Sequence, residues 1–431
     1  MNLRSTDSMS VEALQSKGSS FKNTEVGRVP TDWEVVCLRE VANFGGGTTP
    51  PRKNFEKFYA SGTHPWVKTL DLNNGYISST EENVTEAAFS ETSLKMHPIG
   101  TVLVAMYGGF NQIGRTGLIK VSAAINQALV AVITKKERLV PTYLLYYLNY
   151  KVDYWKTVAS SSRKDPNITS NDVKNFILPL PSVIEQTAIA NALSDVDALI
   201  QELEKLIAKK QAIKTATMQQ LLTGRTRLPQ FAHHPDGRKK GYKPSELGEI
   251  PEDWVIRCLG DICYLKSGLG ITATELDEHG EYPCYGGNGL RGYTNRFTHE
   301  GEYVLVGRQG ALCGNVQHVL GCFFASEHAL VATPLGGVNS KWLSIYLERM
   351  NLNQYSESSA QPGLSAEKLK VLKLITPPAE EQQAVAEVLY EMEDEIRGIE
   401  QRLHKTRQIK QGMMQELLIG KTRLIQRSET I

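Results

Sequence analysis

Apolar residues fall at Ile189, Leu193, Val196, Ile200, Leu203 and Ile207, a 4-3-4-3-4 spacing that draws one stripe along a helix. Val385, Leu389, Met392, Ile396, Ile399 and Leu403 repeat the spacing in the same phase. Both stripes loosen toward Lys210 and Thr406, and are expected to resume at Ile213, Met218, Leu221 and at Ile409, Met414, Leu417. Pro179-x-Pro181-Ser182 and Pro377-Pro378 introduce the two segments, and Gly224 and Gly420 stand where each helix should stop. Ser182 with Glu185 three residues later resembles a capping box. The pattern predicts two helices of about 40 residues, where ordinary helices run to about 11–12. Stripes of that length need covering, by each other as a coiled coil or by separate globular parts. Upstream, short apolar runs (Val102 to Ala105, Leu129 to Ile133), glycine-rich turns and a helix near Tyr143 to Leu148 predict a compact α+β domain.

The same elements occur twice. Phe21-Lys22 and Glu25-x-Gly27-x-x-Pro30-x-Asp32-Trp33 recur as Tyr242-Lys243 and Glu246-x-Gly248-x-x-Pro251-x-Asp253-Trp254. Val102-Leu103-Val104 and Gly108 match Val304-Leu305-Val306 and Gly310, and Ala128-Leu129-Val130-Ala131 matches Ala329-Leu330-Val331-Ala332. Residues 185–228 align without gaps on 381–424, with 18 of 44 positions identical, including Glu-Gln at the start and Thr-Arg-Leu at the end. Collinear blocks of this kind mark two copies of one unit, roughly 21–228 and 242–424. The expected domains are a flexible segment 1–20, a globular domain 21–180, a long helix 181–228, a linker 229–246, a second globular domain 247–376, a second helix 377–424 and a tail 425–431.

Charge predicts how the helices pair. Residues 185–204 carry five acids and no base, and 205–228 six bases and no acid. Residues 377–400 sum to −7 and 402–427 to +6. Acids early and bases late also suit each helix's own dipole. Parallel pairing would set like on like, so the helices are expected to run antiparallel, with a pseudo-twofold axis between the copies. At about 1.5 Å per residue, a helix of about 40 residues spans about 60 Å. Such a spacer suits two separated half-sites on DNA.

Bulk composition is that of an ordinary soluble protein of two or three domains: 431 residues, 41% hydrophobic, 22% charged, net charge +1. The six cysteines form no C-x-x-C pair, which suits reduced thiols in a cytoplasmic protein. Neither a signal peptide nor a membrane span is expected. Ile419-Gly420-Lys421-Thr422 resembles the end of a phosphate loop, but Gln415 stands where its first glycine belongs, and a helix cap is the better reading. There is no Asn/Asp-Pro-Pro-aromatic tetrad, no G-x-S-x-G and no H-E-x-x-H. No catalytic residue and no metal ligand is assigned.

With these features assembled, the chain resembles the specificity subunit of Type I restriction–modification systems, from about Phe21 to Leu424. The residues carrying the resemblance are the duplicated Gly-x-x-Pro-x-Asp-Trp, Gly46-Gly47-Thr48-x-Pro50, Trp66-Val67-Lys68-x-x-Asp71-Leu72-Asn73, Ala105-Met106-Tyr107-Gly108 and Asn126-Gln127-Ala128. In the second copy they are Tyr285-Gly286-Gly287-Asn288-Gly289-x-Arg291-Gly292-Tyr293 and Gly307-Arg308-Gln309-Gly310. The resemblance implies two target recognition domains, each binding one half of a bipartite double-stranded DNA target. It implies helices that fix the gap and dock two methyltransferase subunits, with restriction/translocase subunits joining that core. S-adenosylmethionine and ATP would belong to those partners, and this chain would carry no cofactor. Because the copies differ, the half-sites should differ. Base readout needs fixed donor and acceptor forks, and phosphates take other basic groups. The candidates for DNA contact are Arg52, Lys53, Lys68, Tyr107, Asn111, Gln112 and Arg115, with Asn288, Arg291, Tyr293, Arg308 and Gln309 in the second domain. The alternative is a free-standing DNA-binding regulator, which needs no docking surface.

Overall fold

The computed structural model describes residues 20–109, 111–159, 167–310, 313–356 and 363–424. The segment expected to be flexible (apart from Ser20) and the tail lie outside the described residues. The chain divides into two compact units, each discontinuous in sequence: residues 1–202 with 403–431, and residues 203–402. Each contains one α+β body, part of one long helix and part of the other.

In the first unit a five-stranded sheet takes the order Ala42–Gly46, Leu129–Thr134, Val102–Ala105, Thr116–Ile119, Gly75–Ile77. Its central strands are buried on both faces, which is why they read as continuous apolar runs. Val102, Val104, Val130 and Val132 pack with Tyr143, Leu144 and Tyr147 of the helix Pro141–Tyr150. Leu103, Ala105 and Ala131 point the other way, onto Leu72, Ile77 and Ile125. A smaller sheet of Ala124–Ile125, His64–Val67 and Glu82–Val84 adjoins.

The second unit repeats the plan in one six-stranded sheet ordered Cys263–Ser267, Ala329–Pro334, His299–Gly307, Val316–Ala325, Tyr282–Gly286, Gly289–Thr294. The strand Val316–Ala325 runs unbroken where the first unit uses Thr116–Ile119 and Ala124–Ile125 in different sheets. Gly321, at φ +96°, sits within it. Such a conformation is open to glycine and strained for most other residues.

Pairing registers correct the sequence alignment at one place. Val130 lies opposite Val104, and Leu330 opposite Val306, so Leu129 is the counterpart of Ala329 and Ala128 of His328. The identical letters Ala-Leu-Val-Ala suggest a register one residue away. A one-residue slip in a strand turns every side chain to the opposite face, so the ladder decides and the letters mislead.

The long helices span Val183–Leu222 and Ala379–Leu417. Within each unit they run antiparallel. In the first, Lys410 Nζ lies 2.6 Å from Asp197, and Arg423 reaches Glu185. In the second, Lys214 pairs with Glu393, Lys210 Nζ lies 2.6 Å from Glu395, and Arg227 reaches Glu381. Rising numbers in one helix meet falling numbers in the other, and basic halves meet acidic halves. All twelve stripe residues are buried or half-buried: Ile189, Leu193, Leu203, Val385, Leu389, Ile396 and Leu403 fully, Val196, Ile200, Ile207, Met392 and Ile399 partly. The expected resumption fails at two equivalent positions. Ile213 and Ile409 are 43% and 49% exposed. The helices shift phase there, because Leu221 and Leu222, like Leu417 and Leu418, enter the core of a globular body.

The most conserved letters between the copies build one buried knot per unit. Trp33 Nε1 donates to Glu185 Oε2 at 3.1 Å, and Arg423 bridges that carboxylate to Asp32. In the second unit Trp254 Nε1 donates to Glu381 at 2.9 Å, and Arg227 bridges Glu381 to Asp253. Gly420 and Gly224 have φ of +73° and +71°, and a Cβ on either would lie 2.5 Å from the ring of Pro30 or Pro251. Gln186 and Gln382 each accept from one loop N–H (Val140, Asn339) and donate to a carbonyl at the helix entry (Pro181, Pro377). Each knot takes its Gly and its Thr-Arg-Leu from the other sequence copy, so the repeat in the sequence is not the unit of folding. The capping box forms only by half. Ser182 Oγ accepts from the N–H of Glu185 at 3.3 Å, but the glutamate side chain is committed to Trp33 and Arg423.

Candidate nucleic-acid interface

In the first unit, ladder registers place Gly46 opposite Val130, Ala105 opposite Leu129 and Thr116 opposite Val104. Four strand ends therefore meet at one end of the sheet, and the parallel pair Val67 and Ile125 ends there too, stitched by Thr48 N–H to Ile125 O and Asn126 N–H to Val67 O. All seven first-domain candidates sit on the loops that leave this end.

The structure brings Arg52 and Lys68 together through a residue the sequence did not single out. Arg52 donates two hydrogen bonds of 2.7 Å to Glu82, and Lys68 Nζ lies 2.9 Å from Glu82 and 2.8 Å from Glu81. The Arg52 guanidinium also lies over the ring of Tyr59, 4.2 Å from its centre. The Arg52 hydrogen bonds, helped by Lys68 and opposed by burial, lower the Glu82 carboxyl to about 2. The cluster is neutral as folded, two cations against two carboxylates, and Arg52 has its fork filled. Lys53 stands exposed beside it. No local signal links Glu82 to Arg52, because the contact crosses 30 residues of chain.

Tyr107, Asn111, Gln112 and Arg115 share the loop between Val102–Ala105 and Thr116–Ile119. Tyr107 is 40% exposed, and Asn111 is exposed. Gln112 folds back over Gly108, where an added Cβ would meet it at 2.7 Å. Arg115 is half-buried, its carbonyl accepting from Ala105 N–H.

In the second unit Arg308 and Gln309 leave the matching strand end, and Asn288 sits at the tip of the hairpin Tyr282–Gly286/Gly289–Thr294. The structure brings the tip to the loop: a Cβ on Gly287 would lie 3.0 Å from Gln309 O and 3.1 Å from His328 O. Arg308 is half-buried and donates to Ser267 Oγ at 3.0 Å. Gln309 is exposed, with Oε1 at 2.9 Å from His328 Nδ1, while His328 Nε2 lies 3.2 Å from Glu327. Arg291 and Tyr293 lie on the outer strand of the hairpin and both are exposed, with the Arg291 side chain running back over Gly286 at the tip, where an added Cβ would meet it. His328 and Glu327 went unremarked in the sequence.

This is a matched pair of loop clusters on duplicated scaffolds, and comparison with known proteins gives it a context. A family model described as the Type I restriction modification DNA specificity domain matches residues 30–215 and again 251–410. The chain belongs to that family. The specificity subunit of the Type I restriction enzyme EcoprrI from Escherichia coli is 31% identical over 380 residues, 84% of this chain and 87% of that one. A Type I specificity subunit from Methanocaldococcus jannaschii, MjaX, described as putative, is 25% identical over 95% of this chain and 98% of its own. Among solved structures, the Type I restriction–modification S subunit from M. genitalium superposes with a TM-score of 0.61 at 16% identity, over 90% of this chain and 96% of that one. That likeness concerns the fold. The two family matches fall on the two sequence copies, so the duplication is a pair of specificity domains. Among the described residues no helix is long and apolar enough to cross a membrane.

Proposed function

We infer that this specificity subunit reads an asymmetric, bipartite DNA sequence and performs no chemistry itself. Methyltransferase subunits, two per chain, would dock on it and carry S-adenosylmethionine, and restriction/translocase subunits would bring ATP. The observation that carries this reading is the duplication of one scaffold with different loop chemistry: a neutral cluster of Arg52, Lys68, Glu81 and Glu82 with Tyr107 in one copy, Gln309 and His328 in the other. Related scaffolds with different loops suit two unlike half-sites. The continuous helices, each contributing to both units, suit a spacer that sets the gap.

The division of labour follows from what the loops contain. Exposed amide, guanidinium, ammonium and phenol groups on a rigid sheet end recognise edges and phosphates. Binding aligns the duplex, and the bond-making groups come from the docked subunits. The test is to co-express the chain with a candidate methyltransferase subunit, purify the complex in high salt, and map methylated bases on plasmid DNA. Sequence-specific methylation by the complex, and none by the chain alone, is expected. Retention of specific DNA binding without any stable methyltransferase contact would favour a free-standing regulator, and DNA chemistry by the isolated chain would overturn the noncatalytic reading.

A further inference from the structure

Corrected by strand register, the two copies place one side chain each on an identical backbone clamp. In the first unit Met106 N–H donates to Ala128 O at 2.8 Å, and Met106 O accepts from Ile168 N–H at 3.0 Å. In the second, Arg308 N–H donates to His328 O at 2.8 Å, and Arg308 O accepts from Leu364 N–H at 2.9 Å. The residue that follows is Tyr107 in one and Gln309 in the other. A glycine with positive φ comes next in both, Gly108 at +118° and Gly310 at +87°. The backbone is pinned on both sides while the displayed side chain stands in solvent. Base readout needs this combination, since a fork reads an edge only when its own position is fixed.

The clamp differs at one further place. Position 128 is alanine, whereas position 328 is histidine, whose Nδ1 lies 2.9 Å from Gln309 Oε1 and whose Nε2 faces Glu327. The hydrogen bond between this ring nitrogen and the amide, whose direction the imidazole tautomer sets, fixes how the amide lies. At least one lone pair of the amide oxygen and one amide N–H are then left for a partner, the pattern that matches adenine N6 and N7.

We propose that residues 107 and 309 are equivalent base-reading positions, one per half-site, with Gln309 taking adenine and His328 acting as the positioning residue for its amide. This rests on the reading of the chain as a DNA-specificity subunit. Tyr107, without such a support, reads by its ring and hydroxyl.

The test uses the full chain in its methyltransferase complex, selecting from a randomised duplex library, with sequencing of the bound fraction. Gln309→Ala is expected to reduce discrimination at one base pair by about 5- to 150-fold, the effect of losing a bidentate contact. His328→Ala should flatten that same base pair, and His328→Gln, which keeps a donor, should hold it. Tyr107→Ala should flatten one base pair of the other half-site only. All these side chains are outside the core, so the thermal midpoint should stay put. If the wild type selects a bipartite sequence and Gln309→Ala alters no position, the assignment is wrong while DNA recognition stands. Effects of Gln309→Ala and His328→Ala at different base pairs would remove the positioning role. A wild type that enriches no sequence sinks the recognition reading, and this inference with it.

Discussion

Arg227 and Glu381 are 5% and 1% exposed, and burial alone would work against the charge of Arg227. The hydrogen bonds Arg227 donates to Glu381 and Asp253 outweigh that penalty and raise its pKa, so the guanidinium stays charged. Removing one partner of such a pair leaves a buried charge uncompensated. Glu381→Ala should therefore destabilise the second unit by about 3–5 kcal/mol in urea unfolding. Glu395→Ala, which breaks a half-exposed pair with Lys210, should change it by no more than about 1 kcal/mol. The Arg52–Glu82 pair gives a second residue-level prediction. The Glu82 carboxyl is held at about 2 against an ordinary 4.5. Its stabilising contribution is thus fully present above 4.5 and is lost as pH falls toward 2. Followed by carboxyl NMR, Glu82 should titrate near 2 in the wild type and move up toward 4.5 in Arg52→Ala. The knots were written in the sequence as the letters Asp-Trp, Glu-Gln and Thr-Arg-Leu, repeated almost unchanged. Their meeting was not legible, because Asp32 and Arg423 are 391 residues apart. Glu82 gave no signal at all, since a single carboxylate far along the chain looks like any solvated acid.

At the level of elements, heptad spacing and charge order were enough to predict two long antiparallel helices, because period and Coulomb sign act locally and leave few alternatives. Lys214–Glu393 and Lys410–Asp197 are the same pair in the two copies. Reversing one of them, with Lys214→Glu, sets a carboxylate against Glu393 and should lower stability. The double exchange Lys214→Glu with Glu393→Lys should recover most of the loss, a coupling read from a double-mutant cycle. Additive effects would show that the two side chains do not interact. The exposed Ile213 and Ile409 mark the limit of periodic reasoning. A stripe predicts what is covered only while the covering element stays the same, and here each helix turns from its partner to a globular core. Strand register shows a related limit. The letters Ala-Leu-Val-Ala suggested one alignment, hydrogen bonding imposed another, and only the second makes His328 the counterpart of Ala128.

For the whole molecule, each compact unit draws on both sequence copies, so neither repeat contains a complete knot. The globular part, by contrast, is continuous from the first strand to the helix entry. Replacing residues 21–176 with the matching segment of another family member should change one half-site and leave the other intact, as read by methylation mapping. The duplication and the family were legible because whole motifs recur in order. The pairing of Gly and Thr-Arg-Leu with the opposite copy was not, because sequence order says nothing about which helix end a knot will recruit. The most direct measurement inserts one heptad into each long helix, in register with the apolar stripe. Each insertion adds about 10 Å of helix, the length of roughly three base pairs. Mapped on DNA, the variant complex should recognise both original half-sites across a longer gap. An unchanged gap, or a changed half-site, would contradict the account.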